Sequence, residues 1–175
     1  MTLSEYRLLA QRTASTMNLE DKQGHGSLGL IGEAGEIIDI VKKQKYMGLT
    51  DELFREKLID EAGDVMWYVA EVCTGFNYDI EDFNVVLTPK DYEVGIYEDN
   101  ESCALRLIEQ ATRCAVSRKS VTHFIYLREV VSHLAILLVK AGIDIQEVLQ
   151  HNIDKLRVRY PDGFSAERSN GRYQH

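Results

Sequence analysis

An all-α fold, an antiparallel bundle of about five to six helices, is predicted for this chain of 175 residues by three observations. Apolar residues recur three and four apart, the period of an amphipathic helix. Alternating runs of β-branched residues, which would mark half-buried strands, are nearly absent. Capping signals stand where the periodic stretches begin.

Thr2 and Glu5 have capping-box spacing and open a first helix reaching about Met17. The polar stretch from Asp21 to Gly26 reads as a loop, and a second helix follows over roughly Leu28 to Tyr46. Gly48 can close it, and Thr50 with Asp51 and Glu52 supplies a cap and first-turn acids for a third helix ending near Gly75. These two helices form a tight hairpin. The stretch from Thr88 to Asn100 has no period and is long for a loop in a compact domain. Further helices are predicted over about Glu101 to Arg118 and Thr122 to Ala141. Asp144 with Glu147 starts the last, which stops at Pro161, and residues 165–175 form a polar tail. DIEDF from Asp79 and DIQEV from Asp144 echo one another, as do LIGEAGE from Leu30 and LIEQATR from Leu107. An internal duplication with a degenerate second half is one source of such an echo; chance likeness between short helical segments is the other.

The length suits one domain with a real core. Hydrophobic residues at 45% and charged ones at 27% fit a soluble globule, and neither a membrane-spanning run nor a signal-like N-terminus is present, so a cytoplasmic protein is expected. Cys73, Cys103 and Cys114 lack metal spacing and read as reduced structural thiols. A formal charge of −8 disfavours a nucleic acid polymer as partner while leaving a small anion possible.

Chemistry concentrates in a repeated phrase: LIGEAGEIIDIV from Leu30 and LIDEAGDVMWYV from Leu58. At about 100° per residue, Leu30, Ile31, Ala34, Ile37, Ile38 and Val41 form one apolar stripe with Glu33 and Glu36 along its edge. Leu58, Ile59, Ala62, Val65, Met66 and Val69 repeat the stripe, with Glu61 and Asp64 in the matching places. Glu33 and Asp64 lie equally far from a turn at Gly48 and Leu49, as do Glu36 and Glu61, so the four carboxylates should be level. Like charges gathered at a core edge repel and are poorly solvated. A hard divalent cation such as magnesium resolves this, which makes Glu33, Glu36, Glu61 and Asp64 candidate metal ligands. A single Glu-x-x-Glu is more often a solvated helix face; doubling at matched height favours the ligand set. Gly35 and Gly63 recur at equivalent places, where small residues permit close helix approach.

The acids are followed, late in the chain, by KLRVRYPDGF from Lys155 to Phe164. In this order the two motifs resemble the MazG-like all-α nucleoside triphosphate pyrophosphohydrolases, whose pattern is E-x-x-E, a spacer, E-x-x-D and a terminal K-x-x-x-R-Y-P-x-G-F type signature. The likeness runs from the first helix to Phe164, giving a domain over 1–164, with an extra segment at about 84–120 that resembles the arrangement of the dimeric all-α dUTPases. It implies hydrolysis of an NTP or dNTP to the monophosphate and pyrophosphate with magnesium, manganese being a substitute. Glu36 and Glu61 are then candidate bases, Lys155 and Arg159 neutralise the departing pyrophosphate, and the chain forms a homodimer or higher homo-oligomer. A non-catalytic nucleotide-binding helical module, or cleavage of a related linkage as in phosphoribosyl-ATP, are the competing readings.

Independently, Asn152, Lys155 and Arg159 fall within about 60° on the last helix and suit phosphate oxygens, or else complement the helix macrodipole. Tyr160 either stacks on a base or packs at the helix end. Trp67 lies opposite its helix's apolar stripe, so another helix or a second subunit should cover it. His25 reads as a solvated loop histidine, and His123, His133 and His151 as structural.

Overall fold

The computed structural model describes residues 1–87 and 99–165. Among the described residues, six α-helices and one 3-10 helix run in the order α1 (Leu3–Gln11), α2 (Leu19–Met47), α3 (Asp51–Phe76), the 3-10 helix (Ile80–Leu87), α4 (Asn100–Val116), α5 (His123–Lys140) and α6 (Ile145–Arg159). The chain is all-α, with no strand among the described residues.

The caps explain most of the boundaries. Thr2 accepts from the Glu5 amide while Glu5 accepts from the Thr2 amide at 2.8 Å, a complete capping box. Gly48 closes α2 at φ 73, a left-handed conformation glycine adopts without Cβ strain, and Thr50 then caps α3. Asp144 caps α6 by accepting from the Gln146 amide at 2.8 Å. Its expected box partner Glu147 turns away to meet Arg55 at 2.6 Å. DIEDF does start a helix, of the tighter 3-10 kind.

The loop expected over Asp21 to Gly26 is helical instead. Asn18 caps α2 by accepting from the Asp21 amide at 2.8 Å, so the helix starts well before the apolar stripe does. Gly26, at the end of that stretch, and Gly29, just beyond it, are packing surface. A Cβ at Gly26 would stand 2.9 Å from Val72 Cγ2, and one at Gly29 would stand 2.1 Å from Tyr68 Cε1. Glycine's helix penalty of about 1 kcal/mol is offset here by the close approach of α3.

The α2–α3 hairpin is the centre of the molecule. The α4–α5 hairpin packs on α2, α6 and α1 lie against α3, and the 3-10 helix sits between α1 and α5. Leu30, Ile37, Leu58, Met66, Leu107 and Leu134 are fully buried where these layers meet. The segment expected as an insertion at about 84–120 therefore supplies core: Cys103, Leu107, Ala111 and Cys114 of α4 are all buried. Of the long loop expected over Thr88 to Asn100, 88–98 lie outside the described residues, while Asp99 caps α4 and Asn100 begins it. Residues 166–175 of the tail also lie outside them.

All three cysteines are free and buried, and burial pushes the Cys73 and Cys114 thiols up to about 12, which keeps them protonated and unreactive. No helix among the described residues is long and apolar enough to cross a membrane.

Gly75→Ala tests the close approach. Its Cβ would meet backbone, 2.9 Å from Gln23 N and 3.2 Å from Leu19 O, so no side-chain rotation relieves the clash. A loss of about 1–3 kcal/mol is expected, lowering the melting temperature by about 2–4 °C per kcal/mol. An unchanged melt would contradict the packing described.

Candidate metal centre

The hairpin brings three acids together. Glu33 of α2 and Glu61 and Asp64 of α3 are partly buried, and each offers a carboxylate oxygen within 4.8 Å of the others. The hairpin turn sets this register, and the buried stripes beneath keep the two arms in contact. Glu36 stands outside the trio and is exposed. Its charge still reaches the site: the Glu61 carboxyl is raised above its ordinary range by burial first, then by Asp64 and Asp60, with Glu36 adding a smaller push against the opposing Lys155.

Helix α6 completes the site from the other side. Asn152 is fully buried, and it fits because residue 63 is glycine: a Cβ there would lie 2.8 Å from Asn152 Cβ. Asn152 Nδ2 donates to Asp64 Oδ1 at 3.1 Å, and Asn152 Oδ1 accepts from the Tyr6 hydroxyl at 2.8 Å. That hydroxyl is also 3.3 Å from the Gly63 carbonyl. Burial, with the Asp64 charge nearby, holds Tyr6 firmly as the phenol, so it remains a donor. A chain from α1 through α6 to α3 thus fixes the Asp64 carboxylate. Gly35 plays no matching part, since a Cβ there would have no neighbour within 4 Å. The repeated glycine has a packing role in one arm only.

Lys155 reaches the same carboxylate. Its ammonium lies 2.8 Å from Asp64 Oδ1 and 2.7 Å from Asp60 Oδ1. Burial opposes the lysine's charge, but Asp64 and Asp60 outweigh it and raise its pKa. Burial likewise opposes the Asp60 charge, and Lys155 and His151 outweigh it in turn. Of the other late residues, the Arg159 guanidinium lies over the Tyr160 ring, 5.3 Å from its centroid. Tyr160 is only 7% exposed, which favours packing at the helix end over stacking on a base.

Trp67 is covered by this chain. Its indole Nε1 donates toward Thr13 Oγ1 at 3.0 Å and the Ala10 carbonyl at 3.2 Å, so it gives no support to a second subunit. His123, read as structural, is buried, stacked on Phe76 and close to Cys114 Sγ at 3.2 Å; burial lowers its pKa to about 4. His151 sits at the rim, 3.2 Å from Asp60.

His25 is not a loop residue. It lies within α2, and its Nδ1 is 2.5 Å from Oε2 of Glu71, a carboxylate with no exposed surface. That hydrogen bond raises the His25 pKa above 6.5, against burial and the Lys22 charge. A histidine whose folded pKa is raised adds stability that is fully present below its unfolded value and fades as pH climbs through the folded one. The destabilisation caused by His25→Ala should therefore be larger at pH 6 than at pH 9, as read from denaturant midpoints. Equal losses at both would contradict the ionic pairing.

Asp60, Tyr6 and the His25–Glu71 pair were not predicted as features of interest. Asp60 lies four residues before Asp64, hence on the same helix face, and that spacing was a usable signal. Tyr6 belongs to the apolar stripe of α1, and nothing local distinguishes it from ordinary core.

No protein-family model matches the chain, and no solved structure matches it. A stretch of 48 residues is 48% identical to the gene 37 protein of Mycobacterium phage L5, covering 26% of this chain and 42% of that protein. The chain thus spans less than half the length of this relative.

Proposed function

We propose that this chain is a magnesium-dependent nucleoside triphosphate pyrophosphohydrolase, converting an NTP or dNTP and water to the monophosphate and pyrophosphate. The observation that carries the reading is the convergence of Glu33, Glu61 and Asp64 within 4.8 Å from two antiparallel helices. The likeness of both sequence motifs to the MazG-like family supports it. The donor set is all oxygen and net anionic, which suits a hard cation, and the Lys155 ammonium on Asp64 already stands where positive charge is favoured. Glu33, Glu61 and Asp64 would hold the ion, with Glu36 one turn further along α2 at the exposed rim.

Magnesium, when bound, supplies charge neutralisation for the triphosphate and activation of a water. The chain's own groups do the rest. Tyr6 and Asn152 lock the Asp64 carboxylate in one orientation. Lys155 brings a cation beside the acids, and Arg159, one turn further along α6, would join it in balancing charge on the leaving pyrophosphate. Glu61, partly buried beside Asp64, and Glu36, exposed one turn along α2, are the two base candidates. Homo-oligomerisation belongs to the same reading, and sedimentation velocity tests it.

The decisive experiment is a magnesium-dependent panel of the common NTPs and dNTPs with chromatographic product analysis. Monophosphate and pyrophosphate in equal amounts are expected from at least one of them. Stoichiometric nucleotide binding without release would indicate a sensor, and turnover confined to phosphoribosyl-ATP would indicate the related linkage.

A further inference from the structure

We propose that the Lys155 ammonium is a tethered competitor for the metal: it and a divalent cation contend for Asp64, so that loading the ion releases the lysine. This rests on the metal-site reading above and adds a control on it.

Three observations carry the inference. Lys155 Nζ and Asn152 Nδ2 both converge on the same oxygen, Asp64 Oδ1, at 2.8 and 3.1 Å. The amide is fixed by its own bond to buried Tyr6 and cannot leave without disrupting the core, whereas the lysine ends a flexible stem that remains 24% exposed. A second acceptor, Asp60 Oδ1, lies 2.7 Å from the same ammonium and on the outer side of the cluster, since its carboxylate also meets exposed His151. Asp60 belongs to no trio of oxygens with Glu33 and Glu61. Lys155 therefore has a place to retreat to when Asp64 is taken, and from there a short swing would bring it to an anion held at the ion.

The electrostatics favour exclusion over sharing. A unit charge about 6 Å from a divalent ion costs about 1.4 kcal/mol even at the dielectric of water, and more in a partly buried site. That energy corresponds to about tenfold in the dissociation constant. Lysine rather than arginine suits such a part, because a compact ammonium on four rotatable carbons exchanges partners without the fixed fork of a guanidinium.

Manganese binding to the full-length protein, followed by the paramagnetic loss of the free-ion signal, tests the idea without any turnover. Lys155→Met keeps the stem and deletes the charge, and should bind manganese about tenfold more tightly than wild type; Lys155→Gln should shift the same way. Circular dichroism establishes that the variants are folded. Affinity unchanged or weakened in folded variants overturns the proposal. The wild-type protein offers an independent readout: acetylation of Lys155 by a water-soluble ester, quantified by mass spectrometry, should rise on adding magnesium as the amine gives up Asp64 and keeps only the outer Asp60. Unchanged or falling modification, at magnesium concentrations that saturate the site, also overturns it. If neither wild type nor variants bind manganese, the metal-site reading fails and takes this proposal with it, while binding with no dependence on Lys155 defeats the competition alone.

Discussion

Glu61→Gln is expected to lower magnesium-dependent turnover by a factor of about 100 to 10,000 while leaving the fold intact. Glutamine keeps the shape of the side chain but removes both the negative charge and the capacity to accept a proton. The variant should also be more stable than wild type in the presence of a chelator. Burial, Asp64 and Asp60 raise the Glu61 pKa, so its ionised form is disfavoured in the folded state. A carboxyl raised in this way contributes stability below its unfolded value, near 4.5, and loses it as pH rises through the folded value. The advantage of Glu61→Gln should therefore grow between acid and neutral pH, and magnesium should reverse it by stabilising only the wild type. Thermal melts at several pH values with chelator or magnesium measure both effects. Near-normal turnover, or a variant less stable than wild type under chelation, would count against the assignment. Glu36→Gln, measured alongside, separates the two base candidates, since it removes charge from the exposed rim only.

Asn152→Ala should produce the opposite profile, a large stability loss joined to a loss of function. It leaves the buried Tyr6 hydroxyl without its 2.8 Å acceptor and removes a donor from Asp64. It also opens a cavity against Gly63, where Asn152 fits because no Cβ intervenes. A cost of about 2–3 kcal/mol follows from the lost hydrogen bonds and the lost packing, the Tyr6 hydroxyl keeping only the longer contact to the Gly63 carbonyl. The melting temperature should fall by about 4–12 °C, and manganese affinity should fall with it, because Asp64 is no longer aimed. Tyr6→Phe is the milder control: it deletes the hydroxyl while keeping the ring, and Asn152 retains its bond to Asp64. If Asn152→Ala melted like wild type, the chain from Tyr6 to Asp64 would not be holding the site together.

The contrast between these variants separates two kinds of residue that looked alike in the sequence. Glu61 and Asn152 were both polar positions on the edge of an apolar stripe. One sits partly buried among like charges and weakens the fold that carries it; the other is fully enclosed, and the helices depend on it. Exposure and partners decide which is which, and both arise from the packing of α6 on α3.

From the residues alone came the helical class, the capped starts at Thr2, Thr50 and Asp144, the hairpin turn at Gly48, and the convergence of Glu33 with Glu61 and Asp64. Each of these is local or follows from helical period and equal distance from one turn, which a linear chain encodes directly. Tertiary packing decided the remainder. It made helix out of the stretch before Leu28, where Asn18 caps α2 and Gly26 leaves the space that Val72 fills. It left Glu36 at the rim, buried Tyr160, covered Trp67 with the end of α1, and joined Lys155 to Asp64. These outcomes depend on which distant helix arrives at which face and how deeply it seats, and periodicity within one helix carries no information about its neighbour's approach.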